Sequence, residues 1–367
     1  MKAIISGGGT GGHIFPAIAV AQELKRNNKD IEILFVGAEG KMEMEKVPKA
    51  GFDIKGLWIS GLQRKLTARN LLFPVKLLSS LLKANAIVKK FKPDIVVSFG
   101  GYASGSVAQI ANWKGIPLVL QEQNSYPGIT NKLLASKAEK ICVAYNGMEK
   151  YFDKKKIIFT GNPVRQDISE MDKDIDSRAR KHFDLVQNKK TVLVFGGSLG
   201  ARSLNEAVRQ NFEKILGSKD DVQLIWQVGK LYYNDYAIPE LANHPNVKIL
   251  SFIDRMDLAY AAADLVVSRA GALTISELSL AAKAVILVPS PNVAEDHQTK
   301  NAMNLVDQNA AALIKDIEVK EKLGTKIIEM LNDEKQLETL SENIKKLGKP
   351  NAAKDITKTI IDIVNKN

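Results

Sequence analysis

Apolar residues in this chain gather into short unbroken runs, separated by longer stretches in which they recur at helical spacing. In the first half the runs are AIISG, IEILFVG, DIVVSFG, PLVLQEQ, KICVAY and KIIFTGN. In the second they are TVLVFGG, VQLIWQVG, VKILSFI, DLVVSRAG, AVILVPS and AALIKD. A run that is apolar throughout, instead of alternating, suits a parallel strand covered on both faces. Strand–helix alternation carried through twice predicts an α/β protein of two doubly wound, Rossmann-like domains. The seam is expected between Asn162 and Thr191, where NPVRQDISEMDKDIDSRARKHFDLVQNKK is polar and holds no strand-like run. The expected domains are residues 1–163 and 164–349. After Asp316 the pattern is wholly helical. From Asn351 onward, Ala353, Ile356, Ile360, Ile363 and Val364 share one helix face, with Pro350 and Asn351 as break and N-cap. This last helix, within residues 350–367, is expected to pack back on the first domain.

Composition narrows the picture modestly. A length of 367 residues favours about two domains, and 45% hydrophobic with 25% charged residues is ordinary for a soluble globular protein. Aromatics at 6% argue against surfaces that stack carbohydrate or nucleic acid. A net charge of +11 suits an anionic partner, and charge alone does not choose among nucleic acid, phospholipid and phosphorylated substrate. The single cysteine, Cys142, excludes an intramolecular disulfide, fits a reducing compartment and reads as core within KICVAY. MKAII reaches glycine before a hydrophobic run forms, so no signal peptide is expected. No stretch approaches the roughly 20 apolar residues that cross a bilayer, and a cytoplasmic location is expected.

The candidate chemistry sits where strands end. MKAIISGGGTGGHIFP is a strand running into five glycines, with a helix expected to begin near Pro16. Glycines at such a junction let the main chain approach a ligand, and the N–H groups of the helix start face a diphosphate. TVLVFGGSLGARSLN repeats the device with Gly196, Gly197, Ser198 and Gly200, so two phosphorylated substrates are expected. Gly7, Gly9 and Gly12 also satisfy the dinucleotide fingerprint, with Glu39 placed to hold an NAD ribose. Thr10 and His13 are not required by that fold. The helix dipole disfavours a cation at His13, and a neutral imidazole there can accept a proton; a structural capping role is the alternative. In DLVVSRAGALTISELSL, Ala272, Leu273 and Thr274 put amides at a helix start, and Glu277 either compensates the dipole or binds ribose hydroxyls. His297 and Gln298 follow another strand. Gly101, Tyr102, Glu122, Gln123 and Asn124 lie at the ends of two first-domain strands, and Arg165 lies at the hinge as a phosphate clamp or a linker ion pair.

Two acidic or histidine features read as surface. Asp172, Asp174 and Asp176 lie in a highly charged linker, and His182 and His244 have no partners at ligand spacing, so no metal site is expected. The stretch QRKLTARNLLFPVKLLSSLLKANAIVKKFKP differs in character. Leu71, Leu72, Phe73, Val75, Leu77, Leu78, Leu81 and Leu82 exceed what one buried face needs, and Arg64, Lys65, Arg69, Lys76, Lys83, Lys89 and Lys90 surround them. It reads either as a buried helix with basic flanks or as a patch for an anionic membrane surface.

The motifs GGGTGGHIFPAIAVA, EQN, GNPVR, GGSLGARSLN, RAGALTISE and DHQTKNA, in this order over essentially the whole chain, resemble the MurG family. That resemblance implies the two-domain GT-B glycosyltransferase fold, with the domains facing across a cleft. It implies transfer of N-acetylglucosamine from UDP to the 4-hydroxyl of lipid I, undecaprenyl-pyrophosphoryl-N-acetylmuramyl-pentapeptide, giving lipid II with inversion. By the same resemblance Ser198 and Ala272 to Thr274 face the donor diphosphate with Arg165 nearby, Ile253 meets uracil, Glu277 the ribose and Gln298 the sugar. Thr10, Gly11, Gly12 and Asn124 approach from the first domain. The family often pairs two glutamines where this chain has His297 and Gln298, so only Gln298 is carried over. His13 is the candidate base, the lipid's pyrophosphate is assigned to the first loop, and no cofactor, metal or nucleic acid is expected. The place implied is the cytoplasmic face of the plasma membrane, held peripherally. The competing readings are an NAD-dependent oxidoreductase, a UDP-N-acetylglucosamine 2-epimerase and a non-enzymatic membrane adaptor.

Overall fold

Each of those unbroken apolar runs is a parallel strand in the computed structural model, which describes residues 1–61, 72–171, 175–197, 199–217, 221–293 and 296–366. The chain divides into two compact units, Met1–Arg165 with Lys349–Asn367, and Gln166–Gly348. The first unit holds β1 (Lys2–Ser6), β2 (Glu32–Ala38), β3 (Asp53–Leu57), β4 (Ile95–Ser98), β5 (Leu118–Glu122), β6 (Lys140–Val143) and β7 (Ile157–Phe159). They form one sheet in the order β3-β2-β1-β4-β5-β6-β7. The second unit holds β8 (Lys190–Phe195), β9 (Val222–Gln227), β10 (Val247–Leu250), β11 (Leu265–Ser268), β12 (Val285–Leu287) and β13 (Ala312–Leu313), ordered β10-β9-β8-β11-β12-β13.

Alternate residues of one strand enter different cores, which is why the runs are continuous. Ile4 and Val96 pack on one face of the first sheet, and Ala3, Ile5 and Val97 on the other. The second sheet divides Val192 and Val194 from Leu193 in the same way. The last helix, Ala352–Val364, sends Ile356 and Ile360 fully buried into the same core as Ile14, Ala17 and Leu24 of the helix Gly11–Asn27. Burial of two such side chains contributes about 3–6 kcal/mol, enough to hold the chain end on the first unit. Cys142 is buried in that core, and desolvation pushes its thiol up to about 12, so it is inert packing.

Two sequence expectations change. The strand β3, DIKGL, has no unbroken apolar run; as an edge strand it buries little besides Leu57. The first helix begins at Gly11 rather than near Pro16, because Thr10 already has the extended backbone of an N-cap and its carbonyl accepts from the His13 and Ile14 amides.

In each sheet the chain order reverses between two central strands. The reversal falls between β1 and β4 in the first unit and between β8 and β11 in the second. Loops leaving such neighbours diverge above the sheet, and ligands of open α/β sheets bind in the crevice this leaves.

Candidate active site

At the reversal point of the first unit, the glycine loop after β1 meets the loop after β4. Gly101 has φ +91°, and a Cβ there would lie 2.6 Å from the Gly8 carbonyl oxygen, so only glycine permits the approach. The neighbouring Gly100 sits against the Cδ2–Nε2 edge of the His13 ring. His13 Nδ1 lies 3.1 Å from the Gly8 carbonyl and 3.1 Å from Thr10 Oγ1. The Thr10 hydroxyl can donate to a bare Nδ1, whereas a carbonyl only accepts, so the Gly8 bond forms in the tautomer with the proton on Nδ1 and the ring's lone pair on Nε2. That tautomer presents a basic nitrogen at a strand end. Gly11 and Gly12 open the helix that carries His13.

The loop is not a simple phosphate cradle. The Gly9 amide donates to Glu43, 3.2 Å to Oε1 and 3.1 Å to Oε2, so this N–H is taken by a carboxylate, while the helix-start amides expected to face a diphosphate begin beyond it at Gly11. Glu39 is engaged as well, in an ion pair with Lys83 at 2.7 Å.

The loop after β5 carries Asn124, whose amide and side-chain nitrogen lie 3.0 and 3.2 Å from Glu122 Oε1. Glu122 also accepts from the Gly128 amide at 3.0 Å and from Asn131 Nδ2 at 2.8 Å. Burial pushes its carboxyl above the ordinary range, while these donors pull it down. Glu122 therefore fixes the loop on which Asn124 stands. Arg165 is half-buried at the end of the first unit's main segment.

At the reversal point of the second unit, Gly196, Gly200, Ala201, Ser203, Arg269 and Gln298 are among the residues lining a cavity of about 430 Å³. Three residues beyond Arg269, which lines that cavity, the helix Ala272–Ala281 opens after Gly271, with no side-chain cap and no acidic residue in its first turn. The first amides of a helix have no partner within it, so Ala272, Leu273 and Thr274 offer N–H groups and the positive end of a dipole. Glu277 lies beyond that first turn, buried, and accepts from the Tyr260 hydroxyl at 2.9 Å. Gln298, in the first turn of the helix His297–Val306, accepts from the Ser290 amide at 2.9 Å. Ser198 lies outside the described residues. A larger hollow of about 780 Å³ is walled by Arg202, Arg209, Tyr232 and Tyr236 among others, and contains neither glycines of the strand-end loop nor the helix start.

The Ile253 side chain is buried in the core and its amide donates to Gln227 Oε1 at 2.8 Å. Gln227, which sequence reasoning missed, also donates to the Gly197 carbonyl at 3.0 Å. It ties the glycine loop to Ile253, and its one visible signal is a polar residue ending the apolar run VQLIWQ. Arg269 was missed too. Its guanidinium reaches Asp316 at 2.6 Å and Ser203 at 2.7 Å, bracing the loops around the cavity.

The features set aside stay apart from these sites. Asp176 pairs with Arg180, His182 packs on Phe183, and His244 packs on Phe212, while Asp172 and Asp174 lie outside the described residues. Among the described residues no group of three His, Cys, Asp or Glu side chains is placed to hold a metal ion.

Residues 3–143 match the model of the glycosyltransferase family 28 N-terminal domain, and residues 191–356 match that of its C-terminal domain. The chain belongs to glycosyltransferase family 28. Within this family, a Flavobacterium psychrophilum protein is 56% identical over 363 residues, covering 99% of this chain and 98% of its own. A Christiangramia forsetii protein is 50% identical over 366 residues, covering 100% of this chain and 98% of its own. Both are named UDP-N-acetylglucosamine–N-acetylmuramyl-(pentapeptide) pyrophosphoryl-undecaprenol N-acetylglucosamine transferase. The crystal structure of Acinetobacter baumannii MurG superposes with a TM-score of 0.75 at 26% identity, covering 100% of this chain and 99% of that one. The two parallel-sheet units of this family 28 glycosyltransferase are therefore the GT-B fold.

Proposed function

We propose that this enzyme moves N-acetylglucosamine from UDP-N-acetylglucosamine to the 4-hydroxyl of lipid I, forming lipid II with inversion at the anomeric carbon. The relatives that carry this activity in their names match almost the whole chain at about half of all positions. The observation that carries the reading is the uncapped start of the helix Ala272–Ala281, three residues beyond the cavity-lining Arg269, with buried Glu277 anchored by Tyr260. A departing UDP gathers negative charge on its diphosphate, and the amides of Ala272, Leu273 and Thr274 with their dipole meet that charge. Ser198 adds to the diphosphate site, and Arg165 is a candidate phosphate clamp. Glu277 accepts from the ribose hydroxyls, the backbone of Ile253 faces uracil, and Gln298 holds the sugar.

On the acceptor side, His13 Nε2 takes the proton of the 4-hydroxyl as that oxygen bonds to the anomeric carbon and the bond to the UDP oxygen breaks. Thr10, Gly11, Gly12 and Asn124 surround the acceptor, and the lipid pyrophosphate uses the helix start beyond Gly9. The reading requires no metal or other cofactor, and chelators are expected to leave turnover unchanged.

The helix Phe73–Phe91 buries only Ser80, Ala84 and Val88 and exposes Val75, Leu77, Leu78 and Leu82, with Lys83, Lys89 and Lys90 also exposed. Arg64, Lys65, Arg69 and Leu71 lie outside the described residues. No helix among the described residues is long and apolar enough to cross a membrane. An apolar patch edged by lysines fits peripheral attachment to an anionic membrane surface on its cytoplasmic face, where lipid I presents its head group. The positive charge is thus assigned to lipid phosphates rather than to nucleic acid. Incubation with UDP-N-acetylglucosamine, with and without a lipid I analogue, tests the reading. UDP release that depends on the acceptor is expected; release that ignores it, or conversion of the sugar at its C2 carbon, overturns it.

A further inference from the structure

We infer that Glu43 is a positioning residue for His13, acting through the Gly8–Gly9 peptide group; this rests on the reading of His13 as the base. Glu43 is the first residue of the helix Glu43–Lys49 and is fully buried. Its carboxylate receives the Gly9 amide on both oxygens, at 3.2 and 3.1 Å, and the Ala38 amide at 3.0 Å. A side chain at Gly8 would run into Glu43 Oε1, and a Cβ at Gly37 would lie 2.6 Å from Glu43 Cγ. Both glycines thus make room for this carboxylate.

The Gly9 N–H held by Glu43 and the Gly8 carbonyl contacted by His13 belong to one peptide group. An ionised acceptor on the N–H side polarises the amide and makes its carbonyl a stronger acceptor. That matters because two partners compete for His13 Nδ1. The Gly8 carbonyl demands a proton there, whereas the Thr10 hydroxyl, also at 3.1 Å, can donate to a bare Nδ1. Strengthening the carbonyl settles the proton on Nδ1 and leaves Nε2 basic. The arrangement does for His13 what a carboxylate hydrogen-bonded directly to an imidazole does, with a peptide group interposed.

The test is Glu43→Gln, which keeps the shape and an oxygen for the Gly9 and Ala38 amides but removes the charge. Nitrogen-15 spectra of labelled imidazole in the full chain are expected to show the Nδ1–H tautomer of His13, moving toward Nε2–H in the variant. kcat is expected to fall about ten-fold, the lower end for an outer partner of a functional histidine, with both KM values unchanged. In a His13→Ala background the same substitution should cost nothing further. An Nε2–H tautomer in the unaltered protein overturns the inference even if the variant fails to fold, and so does an equal loss of kcat with and without His13. If His13→Ala alone turns over normally, the base reading falls instead, and the tautomer shift decides independently whether Glu43 governs the ring.

Discussion

The two glycine loops look alike in sequence and occupy the same place in their sheets, yet they are finished differently. In the first, a buried carboxylate from another helix takes the Gly9 amide, and a histidine ring takes the carbonyl of the same peptide group. In the second, the loop is braced from its carbonyl side by Gln227 and borders a cavity also lined by Arg269, after which an uncapped helix starts. The first loop's Gly8–Gly9 peptide group is occupied by side chains, which leaves the lipid pyrophosphate proposed for the helix start beyond it, while the second loop is proposed to face the donor diphosphate. A glycine-rich strand end is therefore not one device: the partner of its amides decides what it does.

That contrast makes the two loops separable by kinetics. Removing the proposed base should act on turnover, so His13→Ala is expected to lower kcat about 100- to 10,000-fold while calorimetry finds UDP binding unchanged. Changes in the second unit should act on the donor. Glu277→Ala removes the proposed ribose partner, and is expected to raise the KM for UDP-N-acetylglucosamine by about 10- to 100-fold, with a smaller effect on the acceptor. Gln227→Ala unties Gly197 from Ile253 without touching either loop's sequence. Weaker UDP binding by roughly five-fold is expected by calorimetry, with kcat at saturating donor preserved. The smallest effect tests the apolar patch, which belongs to the first unit alone. Leu78→Ser with Leu82→Ser is expected to cut sedimentation with anionic vesicles about five-fold and to leave rates on a water-soluble acceptor unaltered. A first-loop variant that mainly weakens UDP binding would erase the contrast.

Most of the fold was legible because parallel strands covered on both faces must be apolar at every position, as in KAIIS and IVVS. The edge strand DIKGL escaped for the same reason, since half of it faces solvent. The helix start was misplaced because Pro16 outweighed the capping geometry at Thr10. Of the candidate site, the residues on the loops themselves were readable from their position after strands. Glu43, Gln227 and Tyr260 were not, because each holds a loop or side chain 17 to 34 residues away, and nothing local in the sequence marks such a partner. Ile253 was named by resemblance, and its buried side chain leaves its main chain for the proposed contact.

The division of labour between the loops is tested most directly by a crystal structure of the full chain with UDP-N-acetylglucosamine. A diphosphate within hydrogen-bond reach of the Ala272, Leu273 and Thr274 amides, with the Gly9 amide still on Glu43, is the expected result. A diphosphate seated on Gly9, with Glu43 displaced, would contradict it.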